Sequence, residues 1–277
     1  MSDSHKTALL FPGQGSHEPE MRDTVAAARP DLLELAGELV GSDPFERVAD
    51  GTRFAQPAIY CAALAGWERL DRPEGNFAAG HSLGELAALA AAGALDHHDG
   101  LRLAVKRGAL MQSAAEQGGG GMLALLGERE AALELANAHY LTVANDNAPE
   151  QLVVAGPPER LEAGRRAARG AGLRAMRLPV AGAFHSPEME PALTGFREAL
   201  TTVEFQEPRI PVVSCTTARE FTLPRAELAE ALVRPVRWRQ TLQALRERGV
   251  ERFVETGPGD VLTKLVERNR VAEPSHA

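Results

Sequence analysis

Apolar segments typical of strands alternate with helical segments along most of this 277-residue chain, and this alternation constrains the fold most. The strand-like segments are TALLFPG, NFAAGHS, IPVVSC and RFVETG. Apolar residues recur at helical spacing in AQPAIYCAALAGWERL, GELAALAAAGAL and RQTLQALRERG. Strands separated by helices of this length favour an α/β fold with a mostly parallel sheet, whose functional loops gather at the carboxyl ends of the strands.

A second pattern lies between the glycine-rich segments EQGGGGM and LPVAGAFHSPE. There the predicted order is strand, helix, strand, strand, helix, strand, which is the order of a ferredoxin-like (βαββαβ) unit. The ends of such a unit lie close together, so it can be inserted into a larger domain. We therefore predict a large α/β-hydrolase-like catalytic domain, residues 1–118 and 182–277, and a small ferredoxin-like subdomain, residues 119–181.

Several classes of protein are excluded by what the sequence lacks. No apolar run approaches the ~20 residues that span a bilayer, and the N-terminal segment MSDSHKTALLFPGQG lacks the basic and apolar regions of a signal peptide. Cys61 and Cys215 are too isolated for a disulfide framework or a zinc site. We expect a cytoplasmic protein that does not enter a membrane.

The net charge of −8 argues against nucleic acid as a partner. The stretch from Glu159 to Arg177 nevertheless carries six arginines against two glutamates. One interpretation is a solvated helix face. The other is a docking surface for an acidic protein, with Arg165, Arg166 and Arg169 as the candidate contacts.

The motif G-x-S-x-G places Ser82 between the predicted strand FAAG and the predicted helix ELAALAAAG. A serine on such a sharp turn projects above a helix N-terminus, where unpaired N–H groups favour developing negative charge. The same pattern fits a small residue at an ordinary strand-to-helix junction. The motif alone does not decide between the two.

A serine nucleophile needs a base to activate it. His81 adjoins Ser82, but neighbouring side chains on such a turn point away from each other. His185, in GAFHS, follows a glycine-rich segment where a loop meets a new helix. Since most loop histidines have no catalytic role, these residues alone leave the assignment open.

Further motifs supply a resemblance that covers almost the whole chain, from Leu10 to Leu265. In order they are FPGQGS, GHSLGE, RGALMQ, NDNAPEQLVVAG, GAFHS, PVRW and ETGPGDVLTKL. Together they resemble the malonyl-CoA:acyl carrier protein transacylases and the acyltransferase domains of polyketide synthases. Because the chain starts just before the first motif and stops soon after the last, a free-standing (trans-acting) acyltransferase is expected.

The resemblance implies a role for each matching residue. Ser82 would be the nucleophile and His185 the general base, oriented by a backbone carbonyl from about residues 231–233. The backbone N–H groups of Gln14 and Leu83 would form the oxyanion hole.

The resemblance also implies how the substrate is selected. Arg107, in RGALMQ, would bind the free carboxylate of malonate through paired hydrogen bonds. Phe184 would favour malonyl over branched extender units, and Asn147 is expected to have a structural role. His17 stands where the family commonly has glutamine.

The implied reaction is ping-pong transfer of a malonyl-type group from coenzyme A to Ser82, and then to the phosphopantetheine thiol of an acyl carrier protein. A monomer without a metal or other cofactor is expected, with Arg165, Arg166 and Arg169 steering the acidic carrier. One alternative is an acyl hydrolase of the same fold that clears carrier proteins, but it has no use for Arg107. A non-catalytic carrier-binding protein is the other, and it would not need Ser82 with His185.

Overall fold

The computed structural model describes residues 5–180 and 182–270. The strands are β1 (Lys6–Phe11), β2 (Phe77–Gly80), β3 (Gly121–Leu126), β4 (Thr142–Ala148), β5 (Gln151–Gly156), β6 (Arg174–Arg177), β7 (Val212–Val213) and β8 (Val250–Glu255). The helices are α1 (Met21–Ala28), α2 (Pro30–Val40), α3 (Thr52–Arg69), α4 (Gly84–Ala91), α5 (His97–Gly118), α6 (Arg129–Ala138), α7 (Pro158–Ala168), α8 (Glu190–Thr201), α9 (Pro224–Glu230), α10 (Trp238–Glu247) and α11 (Val261–Arg270). Parts of both predicted domains, residues 1–4, 181 and 271–277, lie outside the described residues.

A parallel sheet with strand order β7-β2-β1-β8 forms the centre of the larger part of the molecule. Its side chains alternate between two cores, as the period of a strand requires. Leu9 and Phe11 pack with α1 to α5 on one face, whereas Ala8 and Leu10 pack with α10 and α11 on the other. The predicted α/β architecture with a parallel sheet is confirmed.

The strand at one edge of this sheet is much shorter than its sequence suggests. The apolar segment IPVVSC covers six residues, but only Val212 and Val213 pair with β2. On the other side of β7 the chain turns back on itself, and residues 219–221 hydrogen-bond to Val212 and Ser214. The next residues, Ser214 and Cys215, are buried under β2 and α4 instead of extending the strand.

A separate antiparallel sheet has strand order β4-β5-β3-β6. Leu123, Leu125 and Val154 face α6 and α7 and form a core of their own with them. The alternate residues of these strands, among them Met122 and Val153, point to the opposite face and join the main core. This second sheet therefore turns one apolar face toward the parallel-sheet part of the molecule.

Hydrogen bonds fix the two sheets relative to each other at β4. The backbone of Val236 exchanges hydrogen bonds with Ala144 and Asp146, in both directions, at 2.8 Å. The buried Asp146 carboxylate accepts hydrogen bonds from the side chains of Arg129 and Arg239, at 3.2 Å each. These contacts hold β4 against the start of α10 and close one side of the cleft between the two parts.

Candidate active site

Ser82 lies on a tight turn between β2 and α4 and has a φ angle of +54°. Non-glycine residues rarely adopt this conformation, and where they do the surroundings must hold it. The turn leaves no room at Gly80, where a Cβ would run into the backbone of Gly84. The sequence therefore folds here into the sharp turn that the motif predicts, with Ser82 at the start of a helix.

The loop after β1 packs directly against this turn. A Cβ at Gly13 would meet the carbonyl oxygen of His81, so the loop approaches closely because it has glycine there. Gln14 follows, and its side chain accepts a hydrogen bond from Thr52 Oγ1 at 2.6 Å. Gln14 and Leu83 both line the cleft, and among the described residues neither backbone N–H donates to a protein acceptor.

Ser82 Oγ lies 2.7 Å from His185 Nε2. The other ring nitrogen, Nδ1, lies 2.9 Å from the carbonyl oxygen of Ala231 and 3.2 Å from that of Arg234. Since a carbonyl can only accept, Nδ1 carries the proton and Nε2 is free to accept from the serine hydroxyl. Ala231 belongs to the segment expected to orient the histidine, whereas Arg234 lies beyond it.

The surroundings of His185 keep its ring neutral. Burial, and after it the positive charge of Arg107, lowers the pKa of His185 to about 3. At neutral pH the imidazole is therefore unprotonated and can take a proton from Ser82.

Arg107 extends from α5 to the same point and is 4% exposed. Its Nη2 donates to Ser82 Oγ at 3.2 Å and its Nη1 donates to Gln56 Oε1 at 2.8 Å. Burial lowers the pKa of Arg107 to about 10, so it remains charged at neutral pH. No carboxylate within the described ranges forms an ion pair with it. Glu85 is buried nearby and acts on Arg107 through its charge, but not at ion-pair distance. A buried guanidinium beside a nucleophile, with no carboxylate paired to it, suits a substrate carboxylate.

Gln56, which orients this guanidinium, was not predicted from the sequence. It lies 51 positions from Arg107, inside the apolar pattern of α3, and is 1% exposed. Its amide nitrogen donates to Thr52 Oγ1 at 3.0 Å, and Thr52 in turn contacts Gln14. A glutamine inside the buried, mostly apolar middle of this helix is the signal that could have identified it.

These residues line a cleft of about 700 Å³ between the two parts of the molecule. Phe184, Arg107 and His185 are buried at its inner end, and Arg174 and Arg268 are exposed at its open end. Further lining residues include His17, Asn147, Met176, Val261 and Lys264. Among the described residues that line the cleft, Asp50 is the one acidic residue. The cleft is therefore positively charged, although the whole chain has a net charge of −8.

The structure does not bring all predicted residues to the cleft. Arg165, Arg166 and Arg169 lie on α7 and the turn after it and do not line the cleft. Arg165 donates twice to Glu162, at 2.8 and 2.9 Å, which offsets part of its charge. Arg174, from the same arginine-rich stretch, does line the cleft, because β6 lies at the edge of the cleft.

Asn147 lies beside the nucleophile turn. Its Oδ1 is 2.9 Å from His81 Nε2, and its carbonyl oxygen accepts from Asn269 at 2.9 Å. It therefore joins β4 to the turn that carries Ser82 and to α11.

In residues 5–180 and 182–270, no group of three or more His, Cys, Asp or Glu side chains is placed to hold a metal ion. The helices of the same residues include none with the length and apolar character needed to cross a bilayer.

Comparison with known proteins places this geometry in a family. The model of the acyl transferase domain matches residues 16–274. Polyketide biosynthesis protein ThaF from Burkholderia thailandensis is 42% identical over 94% of this chain, although the chain spans only 24% of that protein's length. Malonyl CoA-acyl carrier protein transacylase from Salmonella typhimurium is 35% identical, over 94% of this chain and 92% of its own length.

A solved structure supports the same relationship. The crystal structure of malonyl CoA-acyl carrier protein transacylase from Burkholderia pseudomallei superposes with a TM-score of 0.90, covers 98% of this chain and all of that one, and is 33% identical. The chain belongs to the acyl transferase domain family, among the malonyl CoA-acyl carrier protein transacylases and the related acyltransferases of polyketide biosynthesis.

Proposed function

We propose that this chain is a malonyltransferase that moves a malonyl-type group from coenzyme A to the phosphopantetheine thiol of an acyl carrier protein. The observation that carries the proposal is the meeting of Ser82 Oγ, His185 Nε2 and Arg107 Nη2 at the buried end of the cleft. The names of the relatives supply the donor and the acceptor.

The first half-reaction begins when the malonyl carboxylate binds Arg107, which has no ion-pair partner among the described residues. His185 Nε2 takes the proton of Ser82 as Oγ attacks the thioester carbonyl. The backbone N–H groups of Gln14 and Leu83 would stabilise the negative oxygen of the tetrahedral intermediate. When the carbon–sulfur bond breaks, His185 returns the proton to the coenzyme A thiolate and a malonyl ester remains on Ser82.

The second half-reaction runs the same chemistry with a different thiol. His185 removes the proton from the phosphopantetheine thiol, whose sulfur attacks the Ser82 ester. Collapse of the intermediate releases Ser82, which takes the proton back from His185. This ping-pong sequence uses a Ser–His dyad and calls for no metal or redox cofactor.

The charge along the cleft fits a substrate with negative groups at both ends. Arg107 at the buried end faces the malonyl carboxylate. Arg174, Lys264 and Arg268 at the open end suit the phosphates of coenzyme A or of the carrier's phosphopantetheine. Arg268 donates at 2.6 Å to the neutral Gln151 side chain, so its positive charge is not offset there.

Phe184 would set the preference among malonyl units. It is 7% exposed, lines the buried end of the cleft and precedes His185 in the chain. A methyl branch at the malonyl α-carbon would have to displace this ring. One methyl group is worth about 1–3 kcal/mol of discrimination, so the preference for malonyl would be partial.

We also propose the finer organisation and setting of the chain. The order β4-β5-β3-β6 with α6 and α7 on one face supports a ferredoxin-like subdomain at residues 119–181, inserted in an α/β-hydrolase-like domain. We propose that the enzyme acts as a cytoplasmic monomer.

Intact-mass spectrometry tests the proposed function. After incubation with malonyl-CoA, the native protein should gain the mass of one malonyl group, and Ser82→Ala should gain none. A panel of other acyl-CoAs gives the range of accepted units. A malonyl ester that persists in water until a carrier protein is added supports a transferase. Rapid hydrolysis without a carrier would instead favour the acyl hydrolase.

Charge reversal at Arg165 and Arg166 tests the docking prediction for α7. Electrostatic steering raises association rates by ten-fold or more, so the double variant should lower kcat/KM for a malonyl acceptor carrier by about tenfold at low salt. Acylation of Ser82 by malonyl-CoA should not change. Arg102→Glu is the matched control, because Arg102 is also exposed and pairs with an acid three residues away. Equal carrier kinetics and salt dependence in all variants would exclude α7 as the docking surface.

A further inference from the structure

The backbone of Ser82 is held from beneath the turn by a side chain that the sequence did not single out. Its N–H donates to Cys215 Sγ at 3.3 Å, across 133 positions of the chain. Cys215 is fully buried and lies two residues after β7. This bond fixes Ser82 in a conformation that the surroundings must maintain, since its φ is +54°.

Glu85 fixes Cys215 in turn. The N–H of Cys215 donates to Glu85 Oε1 at 2.8 Å, and the N–H of Glu85 donates to the carbonyl oxygen of Ser82 at 3.1 Å. The three residues therefore form a closed ring of hydrogen bonds beneath the nucleophile. Glu85 is 1% exposed, so water does not compete for these bonds.

The charges around this ring keep the sulfur protonated. Burial raises the pKa of the Cys215 thiol well above its ordinary value, and the neighbouring Glu85 carboxyl raises it further. Burial also raises the pKa of Glu85 to about 7, against the lowering effects of Cys215, the Ser214 hydroxyl and the Arg107 charge. Sulfur is then a neutral thiol that accepts from Ser82 N–H and interacts with the Glu85 carboxyl.

We propose that Cys215 is a positioning residue for Ser82: its thiol, fixed by Glu85, holds the backbone of the nucleophile so that Oγ stays within reach of His185 Nε2. This role of Cys215 depends on the proposed function only because malonyl-CoA is the substrate in the test. Cys215 is not among the residues that line the cleft, so it acts through Ser82 and not on the acyl group. The competing explanation is that Cys215 merely fills the core, where it packs with Ala79 and Trp238.

A pair of substitutions separates the two explanations. Cys215→Val keeps the side-chain volume but removes the acceptor, whereas Cys215→Ser keeps an acceptor. Loss of one buried hydrogen bond should slow Ser82 acylation at saturating malonyl-CoA by about tenfold in the valine variant. The half-saturating concentration should not change, because Arg107 is not displaced. The serine variant should regain most of the native rate.

Cys61→Val is the matched control for packing. Cys61 is also fully buried, but it contacts the carbonyl oxygen of Leu32 and lies away from the turn. This variant should acylate at the native rate, whatever its free energy of unfolding in urea. Should Cys215→Val not fold, Cys215→Ala replaces it, since alanine also lacks an acceptor. Acylation as fast in the valine or alanine variant as in the serine variant would overturn the proposal.

A fluorophosphonate, which labels activated serines, makes the test independent of the malonyl substrate. It should label Ser82 in the native protein about tenfold faster than in Cys215→Val. If the native protein reacts with this probe but not with malonyl-CoA, the proposed substrate is wrong and the role of Cys215 is still decided by the labelling rates. Equal labelling of both proteins contradicts that role.

Discussion

Replacing His185 with alanine should slow the acylation of Ser82 by malonyl-CoA by about 10²- to 10⁴-fold, the usual contribution of a positioned general base. Its Nε2 lies 2.7 Å from Ser82 Oγ, and the low pKa of the ring leaves this nitrogen free to accept the proton. The carbonyl groups of Ala231 and Arg234 hold the ring in the required tautomer. Rapid-quench measurement of the acyl-enzyme under single-turnover conditions gives the rate.

A second histidine provides the control for this substitution. His97 is partly buried, but it contacts Arg29 Nη1 at 2.7 Å and does not reach Ser82. His97→Ala should therefore acylate at the native rate. A native rate in His185→Ala, or an equal loss in both variants, would mean that His185 is not the base.

The sequence predicted those parts of the site that lie in short motifs with fixed local geometry. The turn at Ser82 could be predicted from the glycines of its motif, because a tight strand-to-helix turn requires them. The strands β1 and β2 could be predicted from apolar runs of strand length. The match of His185 to Ser82 came only from the resemblance, since 103 positions separate them and nothing local joins them.

The residues that the sequence missed share one physical cause. Gln56 reaches the site because α3 packs beside it, and Cys215 because the segment after β7 packs beneath the turn. That packing depends on the whole fold and not on the local sequence. Gln56 lies between apolar residues and Cys215 follows an apolar run, so the sequence pattern indicates core positions. Glu85, in contrast, was visible as a charged residue in an apolar helix, but its partner is a backbone N–H, which no sequence pattern reports.

The arginine-rich stretch shows what charge density along the sequence leaves open. Six arginines in one segment indicate a single charged surface, but the fold distributes them. Arg165 is engaged by Glu162 on α7, whereas Arg174 lies at the cleft because β6 is an edge strand. The fold, and not charge density along the sequence, therefore decides which of these arginines can face a carrier protein.

The second large effect concerns the substrate carboxylate. Replacing Arg107 with alanine should lower kcat/KM for malonyl-CoA by about 10²- to 10⁴-fold, because removing one partner of a buried ion pair costs about 3–5 kcal/mol. Acetyl-CoA has no carboxylate, so its transfer should be unchanged or faster. The measurement is the ratio of kcat/KM for the two acyl-CoAs in each protein. Arg102→Ala, on the exposed side of the same helix and paired with Asp99, should keep the native ratio.

The same substitution should also change the pH dependence, and this links Arg107 to the base. The Arg107 charge is the second cause of the lowered pKa of His185, after burial. Its removal therefore raises the pKa of His185. Only the neutral ring accepts a proton. As the pH is lowered, acylation by acetyl-CoA should therefore begin to fall at a higher pH in Arg107→Ala than in the native enzyme. Burial persists in the variant, so this fall should still lie below the ordinary histidine pKa of about 6.5. An unchanged ratio of malonyl to acetyl transfer would refute the clamp. Arg107→Ala could instead lose its preference for malonyl-CoA while its acetyl transfer falls at the same acidic pH as in the native enzyme. That result would show that Arg107 acts on the substrate alone and not on His185.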